Sequence, residues 1–268
     1  MVKQKKSALS NTKIAIVFFV FLAFFVGISL IFKVITLIRA SQFDDSKRFT
    51  FSISNSKNVE VVSLSPSSKE IVVFKLNDAT PPAEAGRLLE IPIDGFIASD
   101  SLDLSQKVNS LFMKAIFSYN KLKTNITIID LLRIAMLARA IPESAISVKV
   151  IGGAVTNNLE LDKIVGRLVS EDQIEKDNQT IQIVNATDVG GLGNRLARLI
   201  TNMGGDVIIV VTGNSPRKKS TISYIDKKTY TIERLQKVLG YEVVREVGNA
   251  ISDITILIGE DGINSAPF

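Results

Sequence analysis

The feature that most constrains this chain is its first forty residues: a basic head, an uncharged apolar run and a basic stop. Lys3, Lys5, Lys6 and Lys13 precede Ile14 to Phe32, a run without a charge, and Lys33 and Arg39 follow. At about 1.5 Å per residue that run reaches roughly 29 Å, close to the hydrocarbon thickness of a bilayer. A transmembrane anchor is expected over residues 14–38, with residues 1–13 as a cytoplasmic basic head and the bulk of the chain extracytoplasmic by the positive-inside rule. A cleaved signal peptide shares the basic head, but its apolar core is usually only about 7–15 residues long. The stretch Ile38-Arg39-Ala40-Ser41-Gln42 also puts Arg39 where a cleavage site needs a small residue. An uncleaved signal anchor is therefore the expectation.

Charge and composition narrow the rest. Six of the 32 Lys and Arg, and none of the 27 Asp and Glu, fall within residues 1–43, so the remainder balances to within one charge. The net +5 is thus a signal of membrane topology, and no nucleic-acid partner is expected. With zero Cys, disulfides, thiol catalysis, lipid acylation at cysteine and cysteine metal sites are excluded. With zero His, the Ser-His-Asp triad and histidine zinc sites go too. No cofactor and no metal site is expected. Residues beyond the anchor suffice for two domains of about 100 residues each.

Ala40 to Arg48 reads as a solvated neck. Val59–Leu64 and Glu70–Leu76 read as strands joined by a turn at Ser65-Pro66-Ser67-Ser68-Lys69. Ser105–Tyr119 and Ile128–Ala140 carry helical periodicity, Ala145–Ile151 reads as a strand and Leu159–Val169 as a helix. Glu171–Gln179, charged and amide-rich, reads as the domain boundary, which gives domains at 44–170 and 178–261. Beyond it come a strand at Thr180–Val184 and a helix with Leu192, Leu196, Leu199, Ile200 and Met203 on one face. A buried-type strand follows at Asp206–Thr212, another at Ser220–Ile225, a helix capped by Thr231, and a last strand at Ile254–Ile258. The fold class expected is α/β: a transmembrane helix and two small exported domains, the second β-α-β-β-α-β.

Three motifs bear on chemistry. Asp188-Val-Gly-Gly-Leu-Gly-Asn-Arg195 lies between a strand and a helix, as phosphate-cradling loops do. Its glycines, Gly190, Gly191 and Gly193, lack the spacing of a dinucleotide fingerprint, and a tight turn into a helix is the plainer reading. Arg217-Lys218-Lys219 and Lys227-Lys228 flank the Ser220–Ile225 strand, either as an anion-binding edge or as charges protecting an edge strand. Asp100 and Asp103 form a close acidic pair in which Asp103 or Ser105 is expected to cap the following helix. The sequons at Asn125, Asn178 and Asn185 carry no weight by themselves.

Two parts of the chain resemble the LytR–CpsA–Psr family of envelope proteins. IQIVNATDVGGLGNRLARLITNMGGDVIIVV, with the stretch Ser220 to Asp226, Leu239-Gly240 and Ser252 to Gly259, is similar to the LytR C-terminal domain over about residues 178–261. VVSLSPSSKEIVVFKLNDAT and IPIDGFIASDSLDLSQKVNSL resemble strands of the catalytic domain that usually precedes it. That domain transfers a glycan phosphate from a polyprenyl carrier, with Arg and Asp residues holding pyrophosphate and Mg²⁺. Here the family's first Arg-Ser-Asp run falls on Asn55-Ser56-Lys57 and its second Arg on Asn77, leaving Asp78. A pyrophosphate site without its Arg clamp loses binding and charge neutralisation.

The resemblance thus implies a membrane-anchored, non-catalytic envelope protein whose C-terminal domain binds a wall glycopolymer or another envelope protein. The ligand-binding residues expected are Asp188, Gly190, Gly191, Gly193, Asn194, Arg195, Arg217, Lys218 and Lys219, and no catalytic residue is nominated. The alternatives are a divergent Mg²⁺-dependent phosphotransferase using Asp78 with Arg87 or Arg133, and a structural tether with no affinity for the wall.

Overall fold

The computed structural model of the chain describes residues 7–76, 81, 84–152, 158–246 and 251–264. Helix α1 (Ser7–Arg39) carries the apolar run, and Lys13–Arg39 within it is long and apolar enough to cross a membrane. Its 27 residues correspond to about 40 Å of helix, the thickness of a bilayer with its headgroups.

The chain leaving α1 is held against the folded body and is not the solvated spacer expected. Asp130, in the first turn of α4 (Ile128–Ala140), accepts from Ser41 Oγ at 2.5 Å, Phe43 N at 3.1 Å and Gln42 N at 3.2 Å. Phe43 follows into the core at 2% exposure, stacked edge-on against Phe49.

The first sheet has six strands: β1 (Phe49–Ser54), β2 (Val59–Ser65), β3 (Glu70–Leu76), β4 (Gly95–Ala98), β5 (Lys123–Thr124) and β6 (Ile146–Ile151). Their order is β5-β4-β1-β2-β3-β6. β2 and β3 form the expected hairpin, with Leu64 opposite Ile71. β1 was not expected, because FTFSIS is short and follows directly on the polar neck. It is nonetheless the centre of the sheet. Phe49, Phe51 and Ile53 face one side, where they meet α3 (Val108–Phe117) and α4 through Phe112, Leu131 and Ile134. The other side packs α2 (Ala85–Leu89) and α5 (Asn158–Val169) over Val61, Val72 and Phe74. The first unit is thus a three-layer α/β/α sandwich. Asp103 does not cap α3, whose N-cap is Lys107; its carboxylate instead takes the amide and hydroxyl of Ser105.

The stretch expected as a boundary contains a short helix, α6 (Asp172–Asp177), pinned by Ile174 at 3% exposure. Next come β7 (Thr180–Asn185), α7 (Leu192–Asn202), β8 (Asp206–Thr212), β9 (Thr221–Tyr224), α8 (Tyr230–Leu239), β10 (Glu242–Arg245) and β11 (Ile254–Ile258). The sheet order is β10-β9-β11-β7-β8, so the second unit is β-α-β-β-α-β-β, one strand more than expected. β10 escapes a hydropathy reading because Glu242 and Arg245 bracket only two valines. Its presence puts β9 inside the sheet, so the bases flanking β9 do not protect an edge strand. β8 is itself an edge: Ile208 and Ile209 are 45% and 38% exposed, which corrects the buried-type reading of that run. Leu196, Leu199, Ile200 and Met203 are all buried on the sheet, as the α7 periodicity requires. The cap of α8 differs from expectation: Thr229 is the N-cap, and the Thr231 amide donates to Asp177 Oδ2 of α6 at 2.8 Å.

Candidate functional site

The C-terminal ends of β7, β8 and β11 meet at one end of the second sheet. The loops that leave them form the surface singled out by the sequence. After β7 the chain braces its own turn: Asn185 Nδ2 donates to Val189 O at 2.9 Å, and Thr187 Oγ1 to Asn185 Oδ1 at 2.8 Å. Gly191, at φ +86°, then starts α7. The second loop is seated on the first through Gly213 N to Asn185 O at 2.8 Å and Arg217 N to Ala186 O at 2.9 Å. Ser220 and Asp261 close it, Ser220 N and Oγ both donating to Asp261 Oδ1.

Asp188, Gly190, Gly191, Asn194, Arg217, Lys218 and Lys219 are therefore gathered at this end of the domain, all of them exposed. Two of the nine expected residues leave the set. Gly193 is buried against β8, where a Cβ would lie 2.7 Å from Val210 Cγ1, so its smallness serves helix-to-strand packing. Arg195 reaches toward the first unit, its Nε donating to Glu90 Oε1 at 3.2 Å. Lys227 and Lys228 follow the opposite end of β9, remote from Arg217–Lys219. Among the sequons, Asn185 is 8% exposed and Asn125 accepts the Phe96 amide at 2.8 Å, so both side chains do internal work.

Sequence reasoning missed the interface between the two units, which is built from charge. Arg234 of α8, 4% exposed, bonds Asp94 with both terminal nitrogens, at 2.6 and 3.1 Å, and Glu171 through Nε at 2.7 Å. Tyr230 Oη completes Glu171 at 2.5 Å, and the Thr50 amide donates to Asp94 at 3.1 Å. Burial disfavours the guanidinium, but the two carboxylates more than offset it and raise its pKa further above an already high value. Burial beside Glu171 likewise raises the Tyr230 phenol, which stays protonated as the donor. A second cluster lies along α7: Arg198 pairs with Asp162 at 2.7 Å and Glu90 at 3.6 Å, while Asn202 Nδ2 donates to the Glu90 carbonyl at 3.0 Å. The helical spacing of Arg195, Arg198 and Asn202 was the available signal: three polar positions on the side of α7 away from its own sheet.

A cavity of about 410 Å³ opens where α1 ends, between Ile38, Ser41, Phe43, Arg133, Tyr230 and Lys237. Its cations are largely committed. Arg133 donates to Phe43 O at 2.9 Å and Asp45 at 2.7 Å, and Lys47 pairs with Asp44 at 3.4 Å. Arg48 donates to Ser170 O and Ser63 Oγ, and burial holds its pKa below the ordinary arginine value. Of the phosphotransferase residues considered, Asp78 lies outside the described residues. Arg87 is on α2 and Arg133 on α4, on opposite faces of the first sheet, so they do not share a site. Among the described residues, no group of three His, Cys, Asp or Glu gathers as a metal site.

This is a helix long enough to cross a bilayer, bearing an α/β/α sandwich and a smaller mixed-sheet α/β domain. Residues 178–261 match the family model LytR_C, described as LytR cell envelope-related transcriptional attenuator, and form a LytR C-terminal domain. Comparison with curated proteins gives no match. The crystal structure of the transcriptional regulator yvhJ from Bacillus subtilis is similar at 15% identity and TM-score 0.35, covering 44% of this chain and 94% of that one. TagV from B. subtilis is similar at 13% identity and TM-score 0.32, covering 46% and 96%. The Lin1025 protein from Listeria innocua gives 10% identity and TM-score 0.33, covering 46% and 97%.

Proposed function

We propose that this chain is a single-pass cell-envelope protein of the LytR–CpsA–Psr type, N-terminus in the cytoplasm, with residues 44–170 as scaffold and 178–261 as a non-catalytic recognition module. The observation that carries this reading is a LytR C-terminal domain behind a helix long enough to span a membrane. Lys3, Lys5, Lys6 and Lys13, ahead of the apolar run and with no acid among them, support the orientation. The recognition surface is the loop end holding Asp188, Gly190, Gly191, Asn194, Arg217, Lys218 and Lys219, where exposed bases suit an acidic wall glycopolymer or the acidic face of another envelope protein. Arg195 and Gly193 support this surface from behind, through the domain interface and the α7–β8 packing.

The test is co-sedimentation of the full chain, in detergent, with purified cell-wall sacculi. Replacing Arg217, Lys218 and Lys219 by Ala removes three exposed charges from a shared patch and is expected to lower the bound fraction about tenfold at low salt. Equal sedimentation of both proteins would overturn the assignment of this surface.

A further inference from the structure

The layer formed by α3 and α4 carries a surface that neither the sheet nor the second domain covers. On α3, Met113 and Phe117 are 47% and 83% exposed; on α4, Leu132 and Met136 are 44% and 65% exposed. Each pair is spaced i, i+4, so each helix turns one apolar stripe into the core and a second outward. Residues 107–139 hold six bases, Lys107, Lys114, Lys121, Lys123, Arg133 and Arg139, against one acid, Asp130, which is fully buried. Two of those bases are matched from outside the layer, Lys107 by Glu143 and Arg133 by Asp45. Lys121, Lys123 and Arg139 are exposed, and Lys114 lies beside Met113. Outward apolar side chains on α3 and α4, with Lys and Arg on the same helices and in the segment after α3, are the composition of a surface that lies in a membrane interface.

The end of α1 ties the first turn of α4 close to where that interface would lie. Ser41, Gln42 and Phe43 bond Asp130, so the first turn of α4 sits two to four residues beyond the end of α1. Extended chain covers at most about 3.6 Å per residue, which keeps that turn within roughly 15 Å of Arg39. Lys13–Arg39 spans about the whole bilayer, so Arg39 stands near the headgroups. From there α4, 13 residues long, extends about 20 Å with α3 packed beside it.

We propose that the outer face of the α3–α4 layer, Met113, Phe117, Leu132 and Met136 with Lys114, Lys121, Lys123 and Arg139, docks onto an anionic bilayer surface beside the anchor. This rests on α1 spanning that bilayer. The four apolar side chains enter the headgroup–acyl boundary and the bases meet lipid phosphates, which fixes the height and tilt of both domains over the membrane.

The chain has no cysteine, so each single-cysteine variant takes a unique bimane label. Full-length Phe117→Cys and Met136→Cys go into nanodiscs of phosphatidylcholine and phosphatidylglycerol with brominated acyl chains. Phe25→Cys, inside the anchor, and Ile251→Cys, 72% exposed in the second domain, serve as references. Quenching of about half the emission is expected at 117 and 136, more at 25 and none at 251, because an interfacial face sinks only some 5–10 Å. Reversing Lys114, Lys121, Lys123 and Arg139 to Glu is expected to abolish quenching at 117 and 136 while leaving it at 25. Quenching at 25 alone would overturn the docking and leave the anchor standing; quenching at none would remove the anchor and the docking together. A blue-shifted but unquenched label at 117 would mean that a protein, such as a second copy of the chain, covers the face, and would also overturn the proposal.

Discussion

Asp130 is fully buried, yet its carboxylate accepts five hydrogen bonds: three from Ser41, Gln42 and Phe43, and two from Thr127 in a reciprocal capping box. Burial raises its pKa, and the donors from Ser41, Phe43, Thr127 and Gln42 more than reverse this, leaving it below the ordinary 3.8. A carboxylate with a depressed folded pKa contributes stability that is present above its unfolded value and is lost as pH falls through the folded one. Asp130→Asn keeps the shape but turns an NH₂ toward donors, and is expected to cost about 2–4 kcal/mol near neutral pH. Urea unfolding of the full chain in detergent checks this. The gap between wild type and variant is expected to close only as pH drops below 3.8.

At the scale of the elements, the join between α7 and β8 shows how one glycine works. Gly190 lies in the turn before α7 and Gly193 in the helix's first turn; a Cβ on Gly190 meets nothing within 4 Å, whereas one on Gly193 meets Val210 at 2.7 Å. Valine has a stiff side chain, so either α7 or the edge strand must shift. Gly193→Ala is expected to lower stability by about 1–2 kcal/mol, even after the gain in helix propensity, and Gly190→Ala to stay within about 0.5 kcal/mol. Thermal unfolding of the two variants separates packing from turn formation. Neighbouring elements also replace local caps: Asp177, ending α6, takes the amide and hydroxyl of Thr231 in the first turn of α8.

For the whole molecule, Arg234 of the second unit is bonded to Asp94 of the first and to Glu171 between them, and is expected to couple the unfolding of the two. Asp94 and Glu171 are each 4% exposed at their side chains, and removing Arg234 would leave two buried carboxylates without their main counter-charge. Arg234→Met is expected to cost about 3–5 kcal/mol, the usual result of breaking a buried pair from one side. The wild type is expected to unfold in one transition and the variant in two, with new proteolysis within residues 171–179; differential scanning calorimetry and limited trypsin digestion read both. The Arg195–Glu90 and Arg198–Asp162 contacts have arginines about 28% and 29% exposed over acids at 6% and 15%, so water reaches one side of each pair and their loss is expected to cost less than that of Arg234.

Local patterning by itself determined the long apolar helix α1, the β2–β3 hairpin, α4 and the buried stripe of α7, because each is encoded by hydropathy within one segment. Motif resemblance located the LytR C-terminal domain at 178–261, since strand, turn and helix recur there in order. Only the tertiary structure decided the rest. FTFSIS and EVVR become strands because neighbouring strands supply their hydrogen bonds, which no local period records. The neck is fastened because a carboxylate some ninety residues away accepts its amides. Arg195 and Arg234 look like surface bases in the sequence, and become clamps because Glu90 and Asp94 approach from the other domain and Glu171 from the segment between the two. Long-range electrostatic pairing leaves no periodic trace, so charge at a domain interface reads in sequence as charge on a surface.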